Sequence, residues 1–263
     1  MEATLGALSE AFLLAARHGA TQTLAGGTMA LRIASNASDF LEAAHKQGTP
    51  VRIVSGLAEA QLGFLAVAED PLFAGVERIS IIDPGGHSTE LMTATRSANG
   101  WNIEFRHSFP VGTLGLKDTI LTTETPDFGA RMRAVAEIDR VLATEPAPKQ
   151  PGVAVVLGAT GTNLISVREK LLTWQPEKVH GQVLEYEEVS KSVGWMFGMS
   201  DTERAAIPGM ERGRERTIHV GSLILERFMH RIGVEHVTVS TRGWRYALLD
   251  HDLAEVESEL NAP

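Results

Sequence analysis

The 263-residue sequence contains no cysteine, which excludes a disulfide framework, thiol catalysis and thiolate metal sites and is typical of a reducing compartment. Basic residues are outnumbered, with 24 Lys and Arg against 33 Asp and Glu and a net charge of −9. This balance argues against a general binder of nucleic acid or of anionic membranes. No apolar run approaches ~18 residues, and the N-terminus carries no basic signal-peptide region. We therefore expect a cytoplasmic protein with neither a membrane nor a nucleic-acid partner.

Hydrophobic residues make up 43% of the chain, enough for a buried core. Helix and strand patterns alternate over the first seventy residues, with helices predicted around 5–16, 38–46 and 57–68 and strands around 21–25 and 51–54. The pattern changes at Asp70-Pro71. Beyond it, the sequence predicts a buried strand at 78–83, a hairpin around Asn99-Gly100 and a helix at 126–142. A strand at 153–157 follows, and the remainder is mostly helical with a last strand at 236–240. These patterns predict an α/β fold with a boundary after residue 70.

Two glycine-rich turns follow predicted buried strands, DPGGHSTE at 83–90 and GATGTN at 158–163. Glycine lets backbone N–H groups converge, and the second turn opens onto a predicted helix N-terminus; both features suit phosphate oxygens. Neither turn is a Walker A loop. Each alone is more often an ordinary connection, but two in one chain favour phosphate binding.

Three carboxylates accompany these turns. Asp83 closes the strand before the first turn and Glu90 lies just past it. A buried carboxylate requires a cation or a donor, and Mg²⁺ prefers one or two carboxylates plus substrate phosphate oxygens. The alternative is that Asp83 caps its own turn and Glu90 is solvated. Glu59 is either a first-turn acid stabilised by the helix dipole or a general base for water that attacks phosphorus.

The tryptophans and the arginine cluster indicate less about function than the glycine-rich turns and the acids do. We predict that Trp174, Trp195 and Trp244 are core or lobe-interface aromatics, because no basic residues interleave with them as in a base-stacking platform. The basic cluster at 212–216 is either a solvated helix start or a surface that steers polyanions.

Three motifs occur together: T-x-A-x-R-x-A-x-N at 28–36, S-G-x-x-E-A at 55–60 and D-x-G-G-x-S-T-E at 83–90. Their order and spacing resemble the exopolyphosphatase/guanosine pentaphosphatase (Ppx/GppA) phosphatases. Weaker matches, among them Arg214 and S-x-x-G-x-R at 240–245, extend the resemblance over residues 25–250. It implies a two-lobed actin/sugar-kinase/Hsp70-like fold of ribonuclease H-like lobes, the first at 1–70 and the second at 71–263. We expect the first lobe to be incomplete, because the sequence starts at the helix that follows the family's opening strands and their Asp-x-Gly-Ser-Asn phosphate loop.

The resemblance also implies an activity: Mg²⁺-dependent hydrolysis of a terminal phosphoanhydride, releasing orthophosphate from polyphosphate or guanosine pentaphosphate, in a chain that can form a homodimer. Glu59 resembles the catalytic base that activates water, and Asp83 and Glu90 resemble the acids that hold metal or orient that water. The phosphate-binding residues implied are Arg32, Gly85, Gly86, His87, Ser88, Gly158, Gly161 and Thr162.

Some positions depart from the family pattern. Pro84 removes a backbone donor from the first turn, His87 and Thr160 stand where glycine is usual, and Tyr246-Ala247 replaces a usual Glu-Gly. Two alternatives to the enzyme follow: a weakened paralogue that senses guanosine polyphosphates or polyphosphate, and a nucleotide-driven kinase or ATPase of the same superfamily.

Overall fold

The computed structural model describes residues 1–98, 100–148 and 150–260. The chain divides into two compact units, residues 1–56 and a larger unit from Leu57 onward. This division falls after the first residue of the helix Gly56–Ala68, because Phe64 and Val67 of that helix pack in a core cluster with strands of the larger unit. It therefore differs from the lobe boundary expected after residue 70, which stays a prediction.

The first unit consists of three helices and two short strands within the part described: α1 (Glu2–Arg17), β1 (Ala25–Gly27), α2 (Met29–Ile33), α3 (Ala37–Lys46) and β2 (Val51–Ile53). The two strands pair in parallel, with Ala25 opposite Val51. Helix α3 buries Phe40 and Ala44, four residues apart and therefore on one face. The strand predicted at 21–25 therefore overlaps β1 only at Ala25, and the observed strand continues to Gly27.

The larger unit contains a six-stranded mixed sheet in the order β5-β4-β3-β6-β8-β7. Its strands are β3 (Arg78–Pro84), β4 (Thr89–Ser97), β5 (Gly100–Phe109), β6 (Val153–Val156), β7 (Val183–Glu185) and β8 (His236–Val239). Strands β3, β6 and β8 run parallel, whereas β4, β5 and β7 pair antiparallel with their neighbours. The helices are α4 (Gly56–Ala68), α5 (Thr113–Thr119), α6 (Phe128–Leu142), α7 (Gly158–Arg168), α8 (Pro176–Val179), α9 (Tyr186–Met196), α10 (Asp201–Ala205), α11 (Ile218–Ile232), α12 (Trp244–Ala247) and α13 (Leu253–Leu260), with a 3₁₀ turn at Pro71–Phe73.

Both faces of this sheet are covered. Ile79 and Ile81 point to the face packed with α4, and Ile82 points to the face packed with α6, α7, α9 and α11. Burial on both faces explains why β3 and β6 carry apolar residues on both faces rather than in a strictly alternating pattern. The central strands therefore hold their carboxyl ends, where the candidate site residues lie, in a well-packed layer.

The predicted hairpin is confirmed, with Ser97 opposite Gly100 across β4 and β5; Asn99 of its turn lies outside the described residues. The edge strand β7 was not predicted, because it has only three residues and leads into an acidic capping box, Glu185 and Glu188, that is typical of a helix start. Trp174 is 57% exposed and Trp195 39%, so neither is a core aromatic; their alternative place at a lobe interface stays a prediction. None of the described helices is both long and apolar enough to cross a membrane.

Candidate functional site

A cavity of about 380 Å³ in the larger unit gathers most of the residues singled out in the sequence. Its lining includes carboxylates, glycine-rich backbone and arginines, together with threonine, aliphatic and tryptophan side chains, from six parts of that unit. The lining residues are Glu59, Asp83, Pro84, Gly85, Gly86, Glu90, Thr113, Leu114, Gly158, Ala159, Thr160, Gly213, Arg214, Thr217, Ile218, Gly243, Trp244 and Arg245.

The three predicted acids reach this cavity by two routes. The antiparallel pairing of β3 and β4 places Asp83 directly opposite Glu90, and residues opposite each other in such a pair share one face of the sheet. Glu59 comes from the first turn of α4. Only 9% of Glu59 and 4% of Glu90 is exposed, and Asp83 is half-buried. Three carboxylates that lie apart in the chain therefore line one cavity.

Burial changes the acidity of two of them. Burial, and then the charges of Glu59 and Asp83, raise the pKa of Glu90 to about 8, against the opposing hydrogen bonds from Ser108 and Ser88. Ser108 Oγ donates to Glu90 Oε1 at 2.6 Å. Burial also raises the pKa of Asp83 to about 6, against the opposing charge of Arg245. The acids of the site therefore favour protonation or the approach of a cation.

The first glycine turn is hydrogen-bonded to the start of α5. Gly85 N–H donates to Ser88 O at 2.9 Å, and Leu114 N–H donates to Gly86 O at 2.7 Å. Gly85 and Gly86 line the cavity, and buried Ser88 hydrogen-bonds to Glu90. His87 lies against the start of α5 and is not among the lining residues. The turn therefore contributes backbone to the cavity, while the Gly85 N–H is already used within the turn.

The second glycine turn passes directly beside a carboxylate. Gly158 has φ +76°, and a Cβ there would lie 2.8 Å from Asp83 Oδ1. Gly161 packs instead on Val156, and Thr162 Oγ1 donates to the Gly158 carbonyl at 3.4 Å inside α7. Of these predicted phosphate-binding residues, only Gly158 reaches the cavity, together with the unpredicted Thr160.

Positive electrostatic potential comes from helix N-termini and arginines. Helices α7 and α11 both begin at the cavity, and neither has a side-chain cap at its N-terminus. The N–H groups of a first helical turn attract anions. Arg214 and Arg245 line the same cavity. Carboxylates and anion-attracting groups therefore line the same cavity.

Several lining residues were not predicted as site residues. Arg214 and Arg245 belong to weaker matches to the family pattern, and the glycine at 243 just after a buried strand is the local signal for this stretch. Nothing in the sequence marks Thr113 or Thr217. Trp244, expected in a core or lobe interface, lies in the cavity wall.

Arg32, the remaining predicted phosphate ligand, belongs to the first unit. Its guanidinium donates a hydrogen bond to the Val54 carbonyl within that unit. Its proposed contact with phosphate stays a prediction.

A metal ion at this site would be held by two of the acids, Asp83 and Glu90. Across the described residues, no group of three or more His, Asp or Glu side chains is arranged to hold one. Asp83 and Glu90 nevertheless face each other across β3 and β4, both with pKa values raised by burial. Such a pair fits Mg²⁺, which takes its remaining ligands from water and substrate phosphate.

The fold and this site have counterparts among known proteins. A model of the Ppx/GppA phosphatase family matches residues 1–256. The crystal structure of an Aquifex aeolicus family member is 26% identical, with a TM-score of 0.77 over 99% of this chain and 82% of that one. An exopolyphosphatase from Cytophaga hutchinsonii is 20% identical, with a TM-score of 0.80 over 97% of this chain and 81% of that one. An exopolyphosphatase-like protein, 21% identical, has a TM-score of 0.84 over 93% and 81% of the two chains.

The predicted class of fold, the α/β fold of the actin-like superfamily, is thereby confirmed. The chain belongs to the Ppx/GppA phosphatase family, and it is a hydrolase of that family.

Proposed function

We propose that this protein hydrolyses the terminal phosphoanhydride of polyphosphate or of guanosine pentaphosphate and releases orthophosphate. One observation carries the proposal: Glu59 shares a cavity with two glycine-rich turns and with Arg214 and Arg245. A carboxylate that can accept a proton thus lies beside groups that attract phosphate. Family membership supports the same class of reaction.

The anion-attracting groups of the cavity bind the substrate in this proposal. Arg214, Arg245 and the N-termini of α7 and α11 all face the cavity. Backbone N–H groups and guanidinium groups hold phosphate oxygens and neutralise the charge that shifts during the transfer. A net charge of −9 on the chain makes this local positive wall necessary for a polyanionic substrate.

Glu59 acts as the general base. Water donates a proton to the Glu59 carboxylate while its oxygen forms a bond to the terminal phosphorus. The anhydride P–O bond breaks, and the shortened phosphate chain leaves with the bonding electron pair. In-line attack of this kind depends mainly on positioning and on charge neutralisation.

Asp83 and Glu90 would hold Mg²⁺, which supplies charge neutralisation at the phosphate oxygens when it is bound. The support is the pair of facing carboxylates with raised pKa values. Ser108 and Ser88 orient the Glu90 carboxylate by hydrogen bonds. Gly158 leaves room for Asp83, because any side chain there would meet the Oδ1 atom.

The test is orthophosphate release with Mg²⁺ and with a chelator, with polyphosphate, guanosine pentaphosphate and ATP assayed in parallel. We expect Glu59→Gln to lower kcat by roughly 10²–10⁴-fold, the range of general base catalysis. Glu69→Gln is the matched control, because Glu69 follows the other end of α4 and contacts His251 rather than the cavity.

Three results would contradict the proposal. Equal activity of Glu59→Gln and the wild type would exclude Glu59 as the base. Tight binding of polyphosphate or guanosine pentaphosphate without phosphate release would favour the sensor. Preferential turnover of ATP would favour a kinase or ATPase.

A further inference from the structure

Outside the cavity, three segments of the larger unit meet at a buried carboxylate. Asp70 follows the end of α4, His180 lies in the turn before β7, and Thr241 and Arg242 follow the end of β8. None of these four residues lines the cavity. The segment 240–245, however, runs from this cluster directly into the cavity wall.

Asp70 is held rigidly by its own backbone surroundings. It caps the 3₁₀ turn at Pro71–Phe73, with Leu72 N–H donating to Oδ1 at 3.0 Å, and its own N–H donates to Val67 O at 3.1 Å. Only 2% of Asp70 is exposed. Its other oxygen, Oδ2, makes no well-formed hydrogen bond within the described chain. That oxygen faces His180 Nε2 at 3.2 Å and Arg242 Nε at 3.4 Å.

His180 joins this carboxylate to the segment after β8. Thr241 N–H donates to His180 Nδ1 at 3.3 Å. Because Nδ1 accepts this bond, Nε2 is the ring nitrogen that can donate toward Asp70 Oδ2. The turn around His180 is also paired with the end of β8, because Gly181 N–H donates to Val239 O at 2.8 Å.

The same segment carries three residues of the cavity wall, Gly243, Trp244 and Arg245. Helix α12, which begins at Trp244, has only four residues and cannot orient them by itself. A Cβ on Gly243 would meet nothing within 4 Å, so this side of the backbone is open. The way in which residues 240–242 are held therefore contributes to the direction of Arg245.

We propose that Asp70 and His180 are positioning residues that hold the segment 240–245 and thereby keep Arg245 at the wall of the phosphatase cavity. A buried carboxylate whose charge is met by side chains of two other segments favours a single arrangement of all three, because removing one partner leaves a buried charge uncompensated. The catalytic part of this inference rests on the proposed function. The structural part does not.

Amide hydrogen exchange tests the structural part without any substrate. We expect His180→Ala to speed exchange in the peptide 240–245 by about tenfold, because the histidine contacts to Thr241 and Asp70 are lost. His180→Gln keeps one acceptor and one donor and should restore slow exchange. The matched control is His107→Ala, which removes a different histidine–carboxylate contact, to Glu145 at 3.6 Å, and should leave this peptide unchanged.

Phosphate release tests the catalytic part. We expect His180→Ala to raise KM about tenfold while kcat changes less, and Arg245→Ala to do the same. The double variant should be no worse than Arg245→Ala alone, because His180 acts through Arg245. If His180→Ala does not fold, Asp70→Asn replaces it, since asparagine keeps the shape of the side chain and removes its charge.

Unchanged exchange in His180→Ala would overturn the proposal, as would losses that multiply in the double variant. Wild-type protein that releases no phosphate would contradict the proposed function instead, and the exchange measurement would still decide whether Asp70 and His180 hold the segment.

Discussion

His219 makes the stability of the larger unit sensitive to acid. It lies in α11 with none of its side chain exposed. Its ring packs edge-on against the Phe197 ring, with the two ring centroids 5.0 Å apart. Neither ring nitrogen has a hydrogen-bond partner in the described chain. Burial, and then the charges of Arg204 and Lys117, lower the pKa of His219 from 6.5 to about 3. The folded protein therefore keeps this ring neutral.

The sign and size of the effect follow from this shift. Below pH 6.5 the unfolded chain binds a proton on His219 that the folded chain, with a pKa of about 3, does not bind. The stability that the neutral His219 ring contributes is fully present above the pKa of the unfolded chain. It is lost as the pH falls, by about 1.4 kcal/mol per pH unit. Between about pH 6.5 and pH 5 the free energy of unfolding should therefore fall by about 2 kcal/mol from this residue alone.

Urea unfolding followed by tryptophan fluorescence measures this directly, because all four tryptophans lie in the larger unit. The raised pKa values of Asp83 and Glu90 act in the opposite direction, so the informative quantity is the difference between wild type and His219→Leu at pH 7.5 and at pH 5. That difference should shift by about 2 kcal/mol in favour of the variant at the lower pH. His236→Leu, at an exposed position of β8, is the control. A difference that stays constant between the two pH values would refute the reasoning.

Three further predictions concern other residues. Gly158→Ala should lower phosphate release at least tenfold and destabilise the unit in the same urea assay, because φ is +76° there and a Cβ would lie 2.8 Å from Asp83 Oδ1. Trp244→Ala should raise the KM for guanosine pentaphosphate about tenfold and leave that for polyphosphate within about twofold, since base stacking contributes ~1–3 kcal/mol; equal effects on both would contradict this. Arg204→Met should cost about 3–5 kcal/mol in thermal or urea unfolding, because this fully buried guanidinium bonds Asp201 and four carbonyl groups; a loss below about 1 kcal/mol would contradict it.

Much of the secondary structure was predictable because it depends on local patterns. Apolar periodicity predicted α1, α3, α4 and α6, and Asn99-Gly100 predicted the β4–β5 hairpin. These signals act within a few residues, so they can be read without the fold. The three-residue strand β7 was not predicted, because an edge strand of that length depends on pairing with β8 and has little sequence pattern of its own.

The acids of the candidate site were predictable from motifs, and the remainder of its wall was not. Glu59, Asp83 and Glu90 each occur in a recognisable short motif, and all three line one cavity. Gly161 and Thr162 occur in such a motif too, yet they pack inside α7. A motif specifies residue types and spacing, but which side of a helix faces the cavity depends on how that helix packs.

The sequence by itself determined the class of protein, the alternation of helices and strands and the acidic chemistry, since these depend on composition and short-range order. Only the tertiary structure brought Arg214, Trp244 and Arg245 to the same cavity as the acids and joined Asp70 to His180. The physical reason is sequence separation: these contacts link positions far apart in the chain, and their geometry follows from the packing of α4, β8 and α11 rather than from any local preference.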